Sequence, residues 1–175
     1  MIITETKRIW LQPYSHEDDR DMYECWQDRE VEKAYNGIMR STFEEFCNFD
    51  IERFRFWVTI VDKESKAKVG TMRLGLDEVC PDLAIWLYKP YRGKGFGTEA
   101  FRLALRYLFE TYGYEELSAG CYEDNEASQN MLSKVGFWRR PDRDEKEESC
   151  FTGELITQQE YRINYERLIE KAGEV

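Results

Sequence analysis

The sequence predicts an α/β fold of the α+β kind, a mixed sheet flanked by helices, and three observations carry that prediction. In residues 54–61 the side chains Phe54, Phe56, Val58 and Ile60 alternate with Arg55, Trp57 and Thr59, the period of a strand. In residues 98–112 the period changes to that of a helix. Phe101, Ala104, Leu105, Leu108 and Tyr112 form an apolar stripe, and Gly113 stops it. Strands at 83–88 and 117–122 are then each followed by a helix, which adds crossover units to a hairpin. A chain of 175 residues without repeats, low-complexity tracts or a Pro/Gly/Ser linker is expected to form one domain, 1–175.

The remaining elements follow in order. Residues 8–12 read as an opening strand. Ser15 with Asp18 three positions on has the form of a capping box, ahead of a helix with Met22, Cys25 and Trp26 on one face. Asn36-Gly37 ends a second short helix. Thr42 and Glu45 repeat the capping-box pattern before a helix reaching about residue 52. A charged turn joins residues 54–61 to a hairpin partner at 69–76. Residues 83–88 are apolar on both faces and are expected at the centre of a sheet. Asn125 opens a helix that Gly136 closes, and Phe137 starts a further strand. The charged residues 139–149 read as a solvated loop. The stretch 151–165 fits a final strand, but Tyr161, Tyr165 and Leu168 fit a helix equally well.

Composition excludes several function classes. Hydrophobic residues make up 42% and aromatics 15%, enough for a core and too much for a disordered chain. With 25 Lys+Arg against 35 Asp+Glu the net charge is -10. That disfavours nucleic-acid binding, which needs cations to neutralise phosphates, and suits a cationic partner. The longest apolar run, 83–88, is far short of the ~20 residues that span a bilayer. The start, MIITETKRIW, has no apolar signal segment, so a cytoplasmic protein without membrane attachment is expected. Five cysteines (Cys25, Cys47, Cys80, Cys121, Cys150) are scattered without a CxxC pair, which reads as free thiols and no metal site. The single histidine, His16, lies in a polar stretch and is expected in solvent.

The chemistry-bearing segment is Arg92-Gly93-Lys94-Gly95-Phe96-Gly97-Thr98, between a buried strand and the start of the longest helix. Alternating glycines let the backbone turn tightly and approach a ligand. Amides at a helix start are unpaired and favour negative charge, so the turn suits a pyrophosphate, with Arg92 and Lys94 as mobile cations. Residues 95–100 formally match the dinucleotide fingerprint G-x-G-x-x-[GA], but the turn follows a helical region and a hairpin, not a first strand. A P-loop is excluded because no Gly-Lys-Ser/Thr closes the turn.

Arg92-x-x-Gly95-x-Gly97 resembles the acyl-CoA pyrophosphate loop of the GNAT superfamily of N-acetyltransferases. About 30 residues on, Asn125-Glu126-Ala127-Ser128, Met131-Leu132 and Gly136-Phe137 resemble that superfamily's second motif. The opening residues 8–26 are similar to the branch containing ribosomal-protein N-terminal acetyltransferases. The resemblance covers roughly residues 8–137. It implies a GNAT-type, mostly antiparallel central sheet and acetyl-CoA as cosubstrate, with no metal. It also implies a primary amine as acceptor, on a peptide or protein N-terminus, a polyamine, an aminoglycoside or another small amine. A homodimer is compatible with it.

The residues that the resemblance assigns to the cofactor are Arg92, Gly93, Lys94, Gly95, Phe96, Gly97 and Thr98 for the pyrophosphate. Asn125 and Ser128 serve the pantetheine arm, and an amide near Trp86 or Leu87 serves the thioester carbonyl. Asn125 also fits a helix N-cap. Lys134 is a further cation that could reach a CoA phosphate. A protonated amine needs a base before it can attack, and Asp82 is the first choice, with Glu78 second. The tyrosine acid usual in this family would fall at Leu132, which leaves Ser128, a tyrosine from elsewhere such as Tyr122 or Tyr161, or solvent to take its place. Without an acid the alternative is a non-catalytic acyl-CoA sensor. Glu99 is expected to complement the helix dipole or orient the loop. Tyr14, Tyr23, Trp26, Tyr35, Phe43 and Phe46 are candidates for the acceptor pocket as well as for the core.

Overall fold

The structure is a computed structural model, and it describes residues 1–173. Among the described residues nine strands form two separate sheets. The first contains β1 (Thr4–Glu5), β2 (Ile9–Pro13), β3 (Trp57–Asp62), β4 (Lys68–Leu74) and β5 (Leu83–Leu87) in that order, every neighbour antiparallel. In the second, β9 (Leu155–Ile163) lies between β6 (Leu117–Tyr122) and β7 (Trp138–Arg139), and β8 (Glu145–Glu148) also pairs with β9. The helices are α1 (Asp19–Trp26), α2 (Arg29–Ala34), α3 (Phe43–Cys47), α4 (Phe96–Tyr112), α5 (Glu126–Val135) and α6 (Tyr165–Gly173).

The two sheets meet at one place. Asp82, just before β5, forms a single parallel bridge with Ser118 of β6, and the Ser118 amide donates to the Pro81 carbonyl at 3.1 Å. From there β5 and β6 part company. The strand expected at the centre of a sheet is therefore the edge of its own. Its apolar character has another cause, since both of its faces are covered.

On one face, Ile9, Leu11, Val58, Ile60, Met72, Leu74 and Leu83 share a core with α4. Phe101, Leu105 and Leu108 of α4 are fully buried there, each contributing about 1.5–3 kcal/mol. On the other face, Tyr14, Trp57, Trp86 and Tyr88 pack with Met22, Cys25 and Val31 from α1 and α2. Coverage on both sides also explains why Trp57, Val58, Thr59, Ile60 and Val61 are all buried.

Local signals act as their chemistry demands. The Ser15 amide donates to Asp18 Oδ2 at 2.9 Å and Thr42 closes a capping box with Glu45. Asn36 at φ 46 ends the α2 region. The helix after Thr42 ends at Cys47, well short of residue 52. The hairpin partner spans Lys68–Leu74 rather than 69–76.

The expected loop at 139–149 is corrected, because Glu145–Glu148 is a strand. All four of its residues are exposed, so its own pattern is silent and it forms only by pairing with β9. The ambiguous stretch after it resolves into both alternatives in turn, β9 and then α6. No helix is long and apolar enough to cross a membrane among the described residues. The five cysteines are unpaired.

Candidate active site

The glycine turn starts where β5 runs out. Gly93 and Gly95 have φ of 71° and 81°, the left-handed region that a Cβ makes costly. Gly95 is the N-cap of α4, which begins two residues earlier than the pattern predicted. Nothing lies within 4 Å of a Cβ built on Gly93, so the turn faces open space. Gly97 is different. Its Cβ would stand 2.8 Å from Met131 Sδ of α5 and 3.1 Å from Leu87 Cδ1, so here glycine permits close packing of helix, helix and strand.

Residues far away in sequence brace the turn. Arg8 Nη1 donates to the Lys94 carbonyl at 3.0 Å, and its guanidinium lies 3.8 Å above the Phe96 ring. Thr6 Oγ1 donates to Glu99 Oε1 at 2.5 Å, and Arg8 lies 3.8 Å from the same carboxylate. Glu99 thus orients the turn through the connection between β1 and β2. Sequence reasoning passed over Thr6 and Arg8, since nothing local links them to residues 94–99.

Arg92 is not the mobile cation that the sequence suggested. Its Nε donates to the Leu87 carbonyl at 2.9 Å, and Nη1 reaches Asp28 Oδ2 and Glu30 Oε2, both at 2.9 Å. Asp28 is itself the N-cap of α2, accepting from the Glu30 amide at 3.1 Å. Arg92 therefore straps the turn to the α1–α2 corner. Lys94 and Thr98 stay with the turn, Lys94 exposed and 5.9 Å from the Tyr91 ring centre.

Strand β5 has one free edge. Asp82 and Tyr88 bond into the β4 ladder, through Gly75 N–H to Asp82 O at 2.7 Å and Tyr88 N–H to Val69 O at 3.0 Å. Alternation then turns the Trp86 backbone to β4 and aims Ile85 and Leu87 outward. The outward carbonyls confirm it, because Ile85 O accepts from the Tyr35 hydroxyl at 2.5 Å and Leu87 O accepts from Arg92. The edge leads from the glycine turn back to Asp82 over five residues, about 17 Å at a strand rise of about 3.3 Å.

At the closed end stands Asp82, exposed, its carboxylate folded over Gly75. A Cβ on Gly75 would fall 2.0 Å from Asp82 Oδ1. Gly75→Ala is therefore expected to push that carboxylate aside. If Asp82 serves the chemistry, kcat falls about tenfold while acetyl-CoA affinity, measured by titration calorimetry, stays within twofold. Glu78 is exposed on the loop between β4 and β5 and makes none of these contacts.

Across the gap, Asn125 caps α5, accepting from the Ser128 amide at 3.1 Å, and Ser128 is half-buried beside it. Leu132, at the position of the missing tyrosine, is 2% exposed and belongs to the core. Tyr122 donates to Glu147 Oε1, and Tyr161 donates to Gln159 Oε1 at 2.9 Å. Burial pushes the pKa of Tyr122 well up, with the Glu147 carboxylate adding to the shift. Tyr35 is the phenol on the free edge, stacked on Trp86 with ring centres 4.9 Å apart, and burial raises its pKa as well. Lys134 is exposed at the end of α5, and His16 is exposed beside Asp19 at 2.7 Å.

Comparison with known proteins agrees with this geometry. The family model described as acetyltransferase (GNAT) domain matches residues 8–138. The chain is 27% identical over 101 residues to the SPbeta prophage-derived uncharacterized N-acetyltransferase YokL of Bacillus subtilis (strain 168), a match covering 58% of this chain and 56% of that protein. It is 23% identical over 145 residues to the uncharacterized N-acetyltransferase YoaA of the same organism, covering 77% and 82%. Among solved structures, spermidine N-acetyltransferase from Vibrio cholerae in complex with CoA and spermine superposes with a TM-score of 0.82 at 15% identity, over 94% of this chain and 99% of that one. A glycine turn, a strand with a free edge and a family model spanning most of the sequence lead to one statement, that this chain belongs to the GNAT family of N-acetyltransferases.

Proposed function

We propose that the chain transfers an acetyl group from acetyl-CoA to a primary amine by direct attack, with no covalent enzyme intermediate. The observation that carries this reading is the free edge of β5, running from the open glycine turn to the Asp82 carboxylate. The amides from Gly93 to Thr98 would hold the pyrophosphate. The pantetheine arm would lie along the free edge of β5 as an added strand does. Asn125 and Ser128 would flank the arm from α5. Of the two amides considered for the thioester carbonyl, the Leu87 N–H is the one on the free edge.

Acetyl-CoA supplies an activated acyl group, and the remaining work falls to the protein. Asp82 accepts the proton that an alkyl ammonium of pKa about 10 must lose before it can attack. The leaving thiolate, near pKa 8.5, needs a hydrogen bond more than a strong acid. Ser128, half-buried at the start of α5, can give one. An amine acceptor is supported by the neighbour that holds CoA and spermine.

The test is Asp82→Asn assayed by thiol release over a range of pH with an amine panel. A base role predicts a loss of about 100-fold near pH 7 that shrinks toward pH 10, where free amine is abundant. A small loss, uniform over pH, would place the base elsewhere. Buried Leu132 at the tyrosine position favours one rival, a sensor that binds acyl-CoA without transfer. Tight acetyl-CoA binding with no thiol release for any amine would establish that rival.

A further inference from the structure

On the α1–α2 face of the first sheet one guanidinium meets aromatic rings but, among the described residues, no hydrogen-bond acceptor. Arg73 lies on β4 directly opposite Trp57 of β3 and Ala84 of β5. Its side chain is half-buried, with the guanidinium carbon 4.5 Å from the centre of the Phe54 ring, 5.2 Å from Trp57 and 5.3 Å from Trp86. Tyr35 completes the wall by stacking on Trp86. Aromatic faces attract a cation but accept none of the in-plane hydrogen bonds that a guanidinium's five N–H donors make.

Among the described residues no acceptor takes those donors and no carboxylate forms an ion pair with Arg73, although the chain has 35 carboxylates. Asp82 is near enough to act on Arg73 electrostatically, as are Tyr35 and the second cation Arg53. Burial opposes the charge on Arg73 and pushes its pKa down. A half-buried, permanently charged fork whose N–H donors meet no protein acceptor is open to an oxyanion in its plane.

Position says whose oxyanion it is. On this face of β5 the side chains in order are Asp82, Ala84 and Trp86, and Arg73 stands beside Ala84, which contributes only a methyl group. The cation is thus one strand away from the middle of the edge proposed for the cofactor arm, on the side of α1 and α2, with Asp82 next to it.

We propose that the acceptor is a primary amine that also carries an oxyanion, a carboxylate or a phosphate, and that Arg73 binds this group while Asp82 faces the amine. This rests on the transfer reading above and narrows its substrate class. It also narrows the inference from net charge, because beside the Asp82 carboxylate this face of a chain of net charge -10 carries the cations Arg73 and Arg53.

The experiment compares matched acceptors: n-alkylamines of two to six carbons, the ω-amino carboxylates and the aminoalkyl phosphates of the same lengths. Thiol release is measured for wild type, Arg73→Gln and Arg73→Lys. The expected result is a kcat/KM at least about tenfold higher for one anionic series than for the alkylamines, and the series that wins identifies the oxyanion. In Arg73→Gln that ratio falls to near one, and in Arg73→Lys it is partly restored.

A merely structural Arg73 would lower all series in proportion and leave the ratio intact, which would overturn the proposal, as would a wild-type preference for plain amines. If wild type acetylates nothing although acetyl-CoA binds, the transfer reading fails and the subsite is judged by binding alone. Saturation-transfer NMR on the acetyl-CoA-loaded protein should then show a signal from an anionic series that Arg73→Gln abolishes. No such signal in wild type would sink the subsite as well.

Discussion

Replacing Gly95 with valine is expected to weaken acetyl-CoA binding by about 100-fold while leaving the protein folded. Gly95 caps α4 at φ 81°, a conformation that a β-branched side chain adopts only under strain. The Cβ itself meets little, since its nearest contact is Arg8 Nη1 at 3.6 Å, the far end of a flexible side chain. The strain is therefore relieved by moving the turn rather than by unpacking the core. Moving it redirects the amides that would hold the pyrophosphate. Charge-assisted hydrogen bonds are worth about 1.5–3 kcal/mol each, so losing one or two reaches 100-fold. Titration calorimetry measures the loss. The accompanying drop in Tm should be a few degrees, from about 1–2 kcal/mol of backbone strain. Full affinity in Gly95→Val would remove the turn from the binding site.

Arg92→Met should act on stability and on both substrates together. It keeps the packing of the aliphatic stem but strips the strap from Asp28, Glu30 and the Leu87 carbonyl. Glu30 is 73% exposed and loses little, whereas Asp28 at 13% is left with the Glu30 amide and, as its one remaining cation among the described residues, Lys89 at 3.8 Å. A loss of about 1–3 kcal/mol follows, between the values for surface and buried pairs, or roughly 3–9 °C in Tm.

The pH dependence has a definite sign. Partial burial pushes the Asp28 carboxyl up, but the Glu30 amide and Arg92 outweigh this and hold it below the usual range. With a depressed folded-state pKa, its stabilisation is complete above the unfolded value near 3.9 and is lost as pH falls through the folded one. Wild type and Arg92→Met should therefore differ in urea midpoint at pH 6 and converge toward pH 2. A constant gap would mean that the stem, not the ion pair, supplies the stability. Because the strap joins the turn to α2, KM should rise for acetyl-CoA and for the amine.

Features written in contiguous residues were legible before any coordinates. The glycine turn, the stripe of α4, the caps at Ser15, Thr42 and Asn125 and the stop at Gly136 each need only a few neighbouring side chains. What failed depended on distant partners. Strand β8 has no apolar residue, so only its pairing with β9 makes it a strand. The edge position of β5 could not be read, because an apolar run says that both faces are covered and nothing about which neighbours pair with it. Arg92 was read as a mobile cation from its motif, yet its side chain is held by carboxylates about sixty residues earlier. Arg73 and Arg8 carry no motif at all, and only the packing of separate strands shows what they face.

The lone bridge from Asp82 to Ser118 has a consequence for experiment. Beyond that rivet, the amides of Ile85 and Leu87 are turned away from the β4 ladder, in a strand whose other amides are locked. A thioester arm laid along the groove would lock them too. Deuterium uptake at these two sites should then slow on titration while Trp86, already committed to β4, keeps its rate. The parting of the sheets thus provides a built-in gauge of occupancy, readable without any acceptor present.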